Sequence, residues 1–143
     1  MSINKYEKCY ECNSNDITFG EIEITQRVGK FNVPMKSLGY TCKKCGEQWF
    51  WIHELCVTEC KAAHQVFSSE TDISQLEVKF ARKALGLKVN DFARKISAPD
   101  DIVWDNDMTM LKVTPEIIVM ITSMLDDEIK KLTVHDEQTN VSV

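Results

Sequence analysis

Cys9-Tyr10-Glu11-Cys12 and Cys42-Lys43-Lys44-Cys45-Gly46 are the stretches on which the reading of this chain turns. Each is a C-x-x-C knuckle, a spacing that lets two thiolates face one ion while backbone N–H groups of the turn reach the sulfurs. Two knuckles supply four soft ligands in a tetrahedron, the closed coordination that Zn²⁺ takes in a structural site. Gly46 follows the second knuckle directly, where a backbone turn with φ > 0 is often needed. Lys8, Lys43 and Lys44 flank the sulfurs and offset part of the negative charge of a four-thiolate centre. A thioredoxin-like redox pair needs a βαβ setting around one motif, not two motifs framing a hairpin. A catalytic zinc keeps one position open to water, and four cysteines fill the site. The expected ligands are therefore Cys9, Cys12, Cys42 and Cys45, and the expected ion is Zn²⁺.

Between the knuckles, Ile17 to Thr25 alternates as Phe19 and Glu21 against Ile22 and Ile24. A second extended stretch runs Lys30-Phe31-Asn32-Val33, followed by Pro34 and then Leu38 to Thr41, with Val28-Gly29-Lys30 between the two as a turn. This is the pattern of a small antiparallel sheet clamped by metal. Trp49-Phe50-Trp51-Ile52 closes the module with large side chains, which a core this small needs. Next comes a helix over Ile52 to Phe67. Its His53, Cys56, Cys60 and His64 share one face, but they span about 16 Å of helix and cannot reach one ion. Cys56 and Cys60 are expected to pack as small apolar residues.

After the polar break Ser68 to Asp72 the period turns helical. Ser74-Gln75-Leu76-Glu77 is a capping box, and Leu76, Phe80, Ala84 and Leu87 mark one face of the helix it opens. Gly86 lies near its end. Phe92, Ala93 and Ile96 give a second, short helix, with Lys88 or Asn90 near its cap. Pro99 to Asp105 is expected as a third. Thr114-Pro115-Glu116 opens a fourth, with Ile118, Ile121, Leu125, Ile129 and Leu132 on its buried face. Short helix, tight turn, short helix is the helix-turn-helix plan. The fold class expected is α+β, a zinc-clamped antiparallel β module followed by an all-α helix-turn-helix domain. The divisions expected are 1–52 for the zinc module, 53–72 for the linking helix and linker, 73–134 for the helix-turn-helix domain, and 135–143 for a loose tail.

The chain has 143 residues, is 43% apolar and 27% charged, and carries a net charge of −5. That balance argues against a general electrostatic binder of RNA or anionic membrane. The longest apolar run, Ile117 to Ile121, is far too short for a membrane span. Met1 to Tyr10 lacks the apolar core of a signal peptide. The expected address is the cytoplasm, where cysteines serve as metal ligands or buried residues rather than a disulfide framework.

The two knuckles around a Val-Gly-Lys turn, and above all Gly39 to Glu47, resemble the zinc module of the MqsA/YgiT-type antitoxins. Phe80 to Arg94 is similar to the opening helices of the Xre-type helix-turn-helix such proteins carry, and Trp104 to Asp107 to a further segment of the family. The resemblance covers about residues 5 to 132. It implies a cytoplasmic DNA-binding repressor that acts as a homodimer, binds double-stranded operator DNA and represses its own operon. A toxin encoded beside it is the further partner implied. The start of the second helix is where such a motif grips the phosphate backbone, and Lys88, Asn90, Arg94 and Lys95 lie there.

Charge departs from that pattern. Pro99 to Asp107 holds Asp100, Asp101, Asp105 and Asp107 and no basic residue, and Asp107 replaces the usual glycine. A recognition helix normally offers basic or amide side chains to base edges. Residues 76–98 carry the opposite sign: Lys79, Arg82, Lys83, Lys88, Arg94 and Lys95 outnumber Glu77 and Asp91. The alternative to a DNA-binding regulator is therefore a protein-interaction module on a degenerate helix-turn-helix scaffold. No enzymatic constellation is legible. The three histidines lack a Ser or Asp partner at a recognisable motif, there is no phosphate loop, and His53-Glu54 lacks the second histidine of a metalloprotease helix.

Overall fold

The hairpin between the knuckles is longer and more regular than its sequence suggests. In the computed structural model, which describes residues 8–96 and 112–141, β1 (Ile17–Val28) and β2 (Phe31–Cys42) have 12 residues each. They pair antiparallel without interruption from Ile17↔Cys42 to Val28↔Phe31. A rise of 3.4 Å per residue makes the ladder about 40 Å long. Gly29 and Lys30 form the turn. Gly29 has φ 58 and Lys30 is not left-handed, the pattern of a type II′ turn with glycine first.

Two details were not expected. Pro34 lies inside β2, opposite Thr25, and Gln48–Phe50 is a third strand, β3, on the far side of β2. β3 pairs only with Gly39 to Thr41. At Pro34, β2 therefore has an open edge, where a sheet accommodates proline.

Four helices follow among the described residues: α1 (Ile52–Ser69), α2 (Gln75–Ala84), α3 (Val89–Lys95) and α4 (Pro115–Val141). α1 begins two residues after β3 and lies along the sheet and α4. Its Cys60 is fully buried in the core, the packing role expected of it, while Cys56 is half-buried and lies outside the core cluster. α4 buries Ile121 and Leu125 completely. It continues through the segment expected to be a loose tail as far as Val141. After Pro115 the sequence contains neither Gly nor Pro to stop it.

Of the expected face of Leu76, Phe80, Ala84 and Leu87, the last three pack against the core as partly buried residues and Leu76 does not. Leu76 is 59% exposed, while Glu77, Val78 and Ala81 are fully buried. The reason is Glu77. Its carboxylate turns inward to the hairpin, which brings the 77–78–81–82 face to the core and leaves Leu76 outside.

The core does not divide at residue 52. Val28 and Val33, at the hairpin tip, belong to one cluster with Ala63, Val66, Val78 and Leu125 of the helices. The base of the hairpin has its own aromatic packing. Tyr40 is 1% exposed. Its ring lies 4.9 Å from Phe19, 5.6 Å from Trp49 in a stacked arrangement and 6.1 Å from Trp51. Trp51 is the N-cap residue of α1, so this cluster also anchors the helix. The expected third helix, Pro99 to Asp105, and Trp104 to Asp107 lie outside the described residues.

Candidate metal centre

The uninterrupted register brings Cys42, at the end of β2, back beside the start of β1, and the loop before β1 carries Cys9 and Cys12. Both knuckles close in the same way. Asn13 N–H donates to the Cys9 carbonyl at 2.9 Å, and Gly46 N–H donates to the Cys42 carbonyl at 2.9 Å. Both closing residues are left-handed, with φ 64 at Asn13 and φ 82 at Gly46. Gly46 was legible as the residue for that geometry. Asn13 is its counterpart, and asparagine is among the side chains that tolerate this conformation best.

The four sulfurs of Cys9, Cys12, Cys42 and Cys45 lie within 4.8 Å of one another. Cys9 Sγ is 3.6 Å from Cys45 Sγ, and Cys12 Sγ is 3.5 Å from Cys42 Sγ. A tetrahedron with metal–sulfur bonds of 2.3 Å has edges of about 3.8 Å, so the cluster fits one four-coordinate ion with little adjustment. All four cysteines are free.

Backbone donors converge on the sulfurs. Glu11 N–H reaches Cys9 Sγ at 3.4 Å. The N–H groups of Cys45 and Lys44 hold the Cys42 thiol down at about 7, against the effect of burial. The Glu47 N–H favours the Cys45 thiolate, yet desolvation and the three neighbouring sulfurs push that thiol up to about 12. A cation among the four sulfurs would replace their mutual repulsion by attraction. The donor set and its geometry suit a soft or borderline divalent metal. Among the described residues this is the cluster that could hold one.

The residues expected to meet DNA, Lys88, Asn90, Arg94 and Lys95, sit at the N-cap of α3 and along it, after the turn that ends α2. α2 opens with the foreseen capping box: Ser74 Oγ accepts from Leu76 N–H at 3.3 Å, and Glu77 Oε1 accepts from Ser74 N–H at 2.7 Å. It ends in a Schellman motif around Gly86, which has φ 72. Gly86 N–H donates to Lys83 O at 3.0 Å and Leu87 N–H to Arg82 O at 3.2 Å. Lys88 is the N-cap residue of α3 and, with Asn90, Arg94 and Lys95, is exposed. Arg94 pairs with Asp91 on its own helix. Arg82, counted among the basic residues of the segment, is buried and donates from Nη1 to Leu87 O at 2.9 Å. It fixes the α2–α3 turn.

A residue pair that sequence reading missed joins the two halves. Glu77 is fully buried on α2 and accepts from Lys30 N–H at 2.9 Å, across 47 positions of sequence. Lys30 Nζ lies 3.4 Å from Glu77 Oε1 and 3.3 Å from Asp72 Oδ2. The capping box and the turn were each legible; their meeting was not. Burial alone would raise the Glu77 carboxyl, but the Lys30 and Ser74 donors and the Lys30 charge hold it below its ordinary value. His64 also has neighbours the sequence did not reveal. Its Nδ1 is 3.4 Å from Ser68 Oγ and its Nε2 is 4.0 Å from Asp126 Oδ1. The second distance exceeds hydrogen-bond reach, and all three groups are at the surface.

Among the described residues no helix is long and apolar enough to cross a membrane. Comparison of the chain with known protein families, with curated protein sequences and with solved structures finds no match.

Proposed function

We propose that the chain is a zinc-containing transcriptional regulator of the antitoxin type. Zn²⁺ on Cys9, Cys12, Cys42 and Cys45 closes the base of the hairpin, and the helical half binds operator DNA as a homodimer and represses its own operon. A toxin is the candidate protein partner. The observation that carries this reading is the four-sulfur cluster on two matching knuckles, followed by two short helices, the first opened by a capping box and the second with Lys88 exposed at its N-cap and Arg94 and Lys95 exposed in its last turn. The sequence resemblance to the MqsA/YgiT-type antitoxins supports the same assignment.

On this reading Lys88 and Asn90 meet phosphate at the N-terminus of α3, and Lys95 meets it further along the same helix. Such contacts give salt-dependent affinity and position the protein rather than choose sequence. Arg94 contributes less, because Asp91 already holds its guanidinium.

Binding of the zinc-loaded protein to the DNA upstream of its own gene, against scrambled DNA across a salt series, tests the proposal. Sequence-selective binding with a steep salt slope is expected. Lys88→Ala with Lys95→Ala removes two contacts from each protomer and should reduce the slope of the dimer by about 4. An unchanged slope would remove these residues from the interface. Absence of selectivity would favour the protein-interaction reading, which the Arg94–Asp91 pairing and the burial of Arg82 make the second choice.

A further inference from the structure

We propose that the directly opposed pair Gly20–Gly39 is a built-in break in the hairpin, across which the metal-bearing base opens while the tip and α2 stay folded. The trigger rests on the reading of the four cysteines as a metal site; the break does not.

Three independent observations meet at this pair. First, the ladder holds two glycines directly across from each other, so two facing side chains are missing from one face of the sheet at one point. Glycine inside a strand weakens it by chain entropy and by lost packing. Gly39 has a reason to be small: a Cβ there would come 2.6 Å from Phe50 Cδ1 and 2.8 Å from Trp49 O. Gly20 has none. Its φ is not left-handed, and an added Cβ meets nothing within 4 Å. Beside the pair, Ser37 buries a hydroxyl that finds no partner among the described residues.

Second, the packing changes hands there. Phe19, Tyr40, Trp49 and Trp51 pack on one another at the base. Val28 and Val33 pack with the helices. Third, the tip is held independently of the sulfurs. A Cβ on Gly29 would lie 2.0 Å from Glu77 Oε2, so turn and helix are in direct contact, and Lys30 N–H donates to the same carboxylate. Units bounded in this way open separately in native proteins.

The consequence is a division of labour. Loss of metal would remodel the surface formed by the knuckles, β3 and the start of α1. The α2–α3 pair would remain in place. A partner that reads the base would then be released by metal loss, and one that reads α3 would not.

Amide hydrogen exchange on the full chain, zinc-loaded and chelated, tests this. Amides of residues 17–19, 40–42 and 48–50 should lose protection by more than about a hundredfold on chelation, while those of 27–33 and α2 change by less than about fivefold. Gly20→Ala should raise protection of the base in the chelated protein by about two- to fivefold, the effect of filling a glycine position in a strand. Loss of protection at tip, α2 and base together would overturn the break, as would a Gly20→Ala variant that leaves the base unchanged. If chelation changes the base not at all, the metal reading fails. Tyr40→Ala then decides the break, since it removes the base core without touching a sulfur. It should open the base alone, and equal opening of the tip would refute the proposal.

Discussion

One hairpin is closed at its two ends by different chemistry. At the base, four sulfurs within 4.8 Å are drawn together by two knuckles, and aromatic rings fill the space behind them. At the tip, a left-handed glycine, a lysine and a fully buried glutamate do the same work with ordinary protein groups. The base gathers a donor set that could hold a metal ion, and on the proposed reading its stability would follow metal supply, thiol oxidation and chelation. The tip depends only on folding. Strand pairing alone does not reveal this difference, since the register is continuous from one end to the other.

The comparison breaks most visibly at the base. If the cluster holds zinc as proposed, Cys42→Ser would remove a ligand and with it much of the metal-binding free energy, which is about 10 kcal/mol or more for a structural zinc site. The variant should lose stoichiometric metal and the near-UV signal of Trp49 and Trp51, while the far-UV helical signal largely persists. Loss of the helical signal as well would mean that base and tip are one unit. At the tip, Gly29→Ala forces an alanine into left-handed geometry and into Glu77. A loss of about 2 kcal/mol or more is expected in denaturant unfolding, with metal stoichiometry unchanged.

Glu77→Gln sharpens the comparison through pH. The carboxyl of Glu77 is held below its ordinary value of 4.5 in the folded protein. Its contribution is therefore complete above that value and disappears as pH falls through the folded value. Wild type should lose this part of its stability progressively below pH 4.5, and the variant, about 1–3 kcal/mol less stable near neutrality, should show a flatter acid limb. An identical acid limb would show that Glu77 is not the group responsible. The smallest effect is on the outer face of α2. Leu76→Gln should change stability by less than about 0.5 kcal/mol, whereas Val78→Ala, at a fully buried position, should cost about 2 kcal/mol.

Much of this fold was legible because its signals are local. The knuckles have fixed spacing, the capping box announces α2, and the limits of α1 follow from composition and polar breaks. What failed to show depends on distant partners. Leu76 reads as a core position by helical period, but Glu77 is drawn to Lys30 and rotates the helix away from it. Arg82 reads as surface charge and is instead spent on the Leu87 carbonyl. The three-residue strand Gln48–Phe50 has too little length for a period; the opposition of Gly39 to Phe50 defines it. The clustering of Cys9, Cys12, Cys42 and Cys45 needed no such help, since chemistry and spacing pointed to it before any contact was known. Lys88, Asn90 and Lys95 lie exposed at the N-cap and along α3, while the expected third helix, Pro99 to Asp105, lies outside the described residues.

Pro34 has a consequence for the chain before it is folded. The hairpin is complete once residue 42 has been made, well before α1 and α4 exist to pack on it. Through that interval β2 offers an open edge, and even after β3 has paired with Gly39 to Thr41 the edge from Phe31 to Leu38 stays open. A strand edge of that length recruits other strands, including those of neighbouring nascent copies. A proline in its middle has no N–H to give, and the exposed Lys36 beside it adds a charge. The residue that looks like an interruption of the sheet serves as a guard against its indefinite growth.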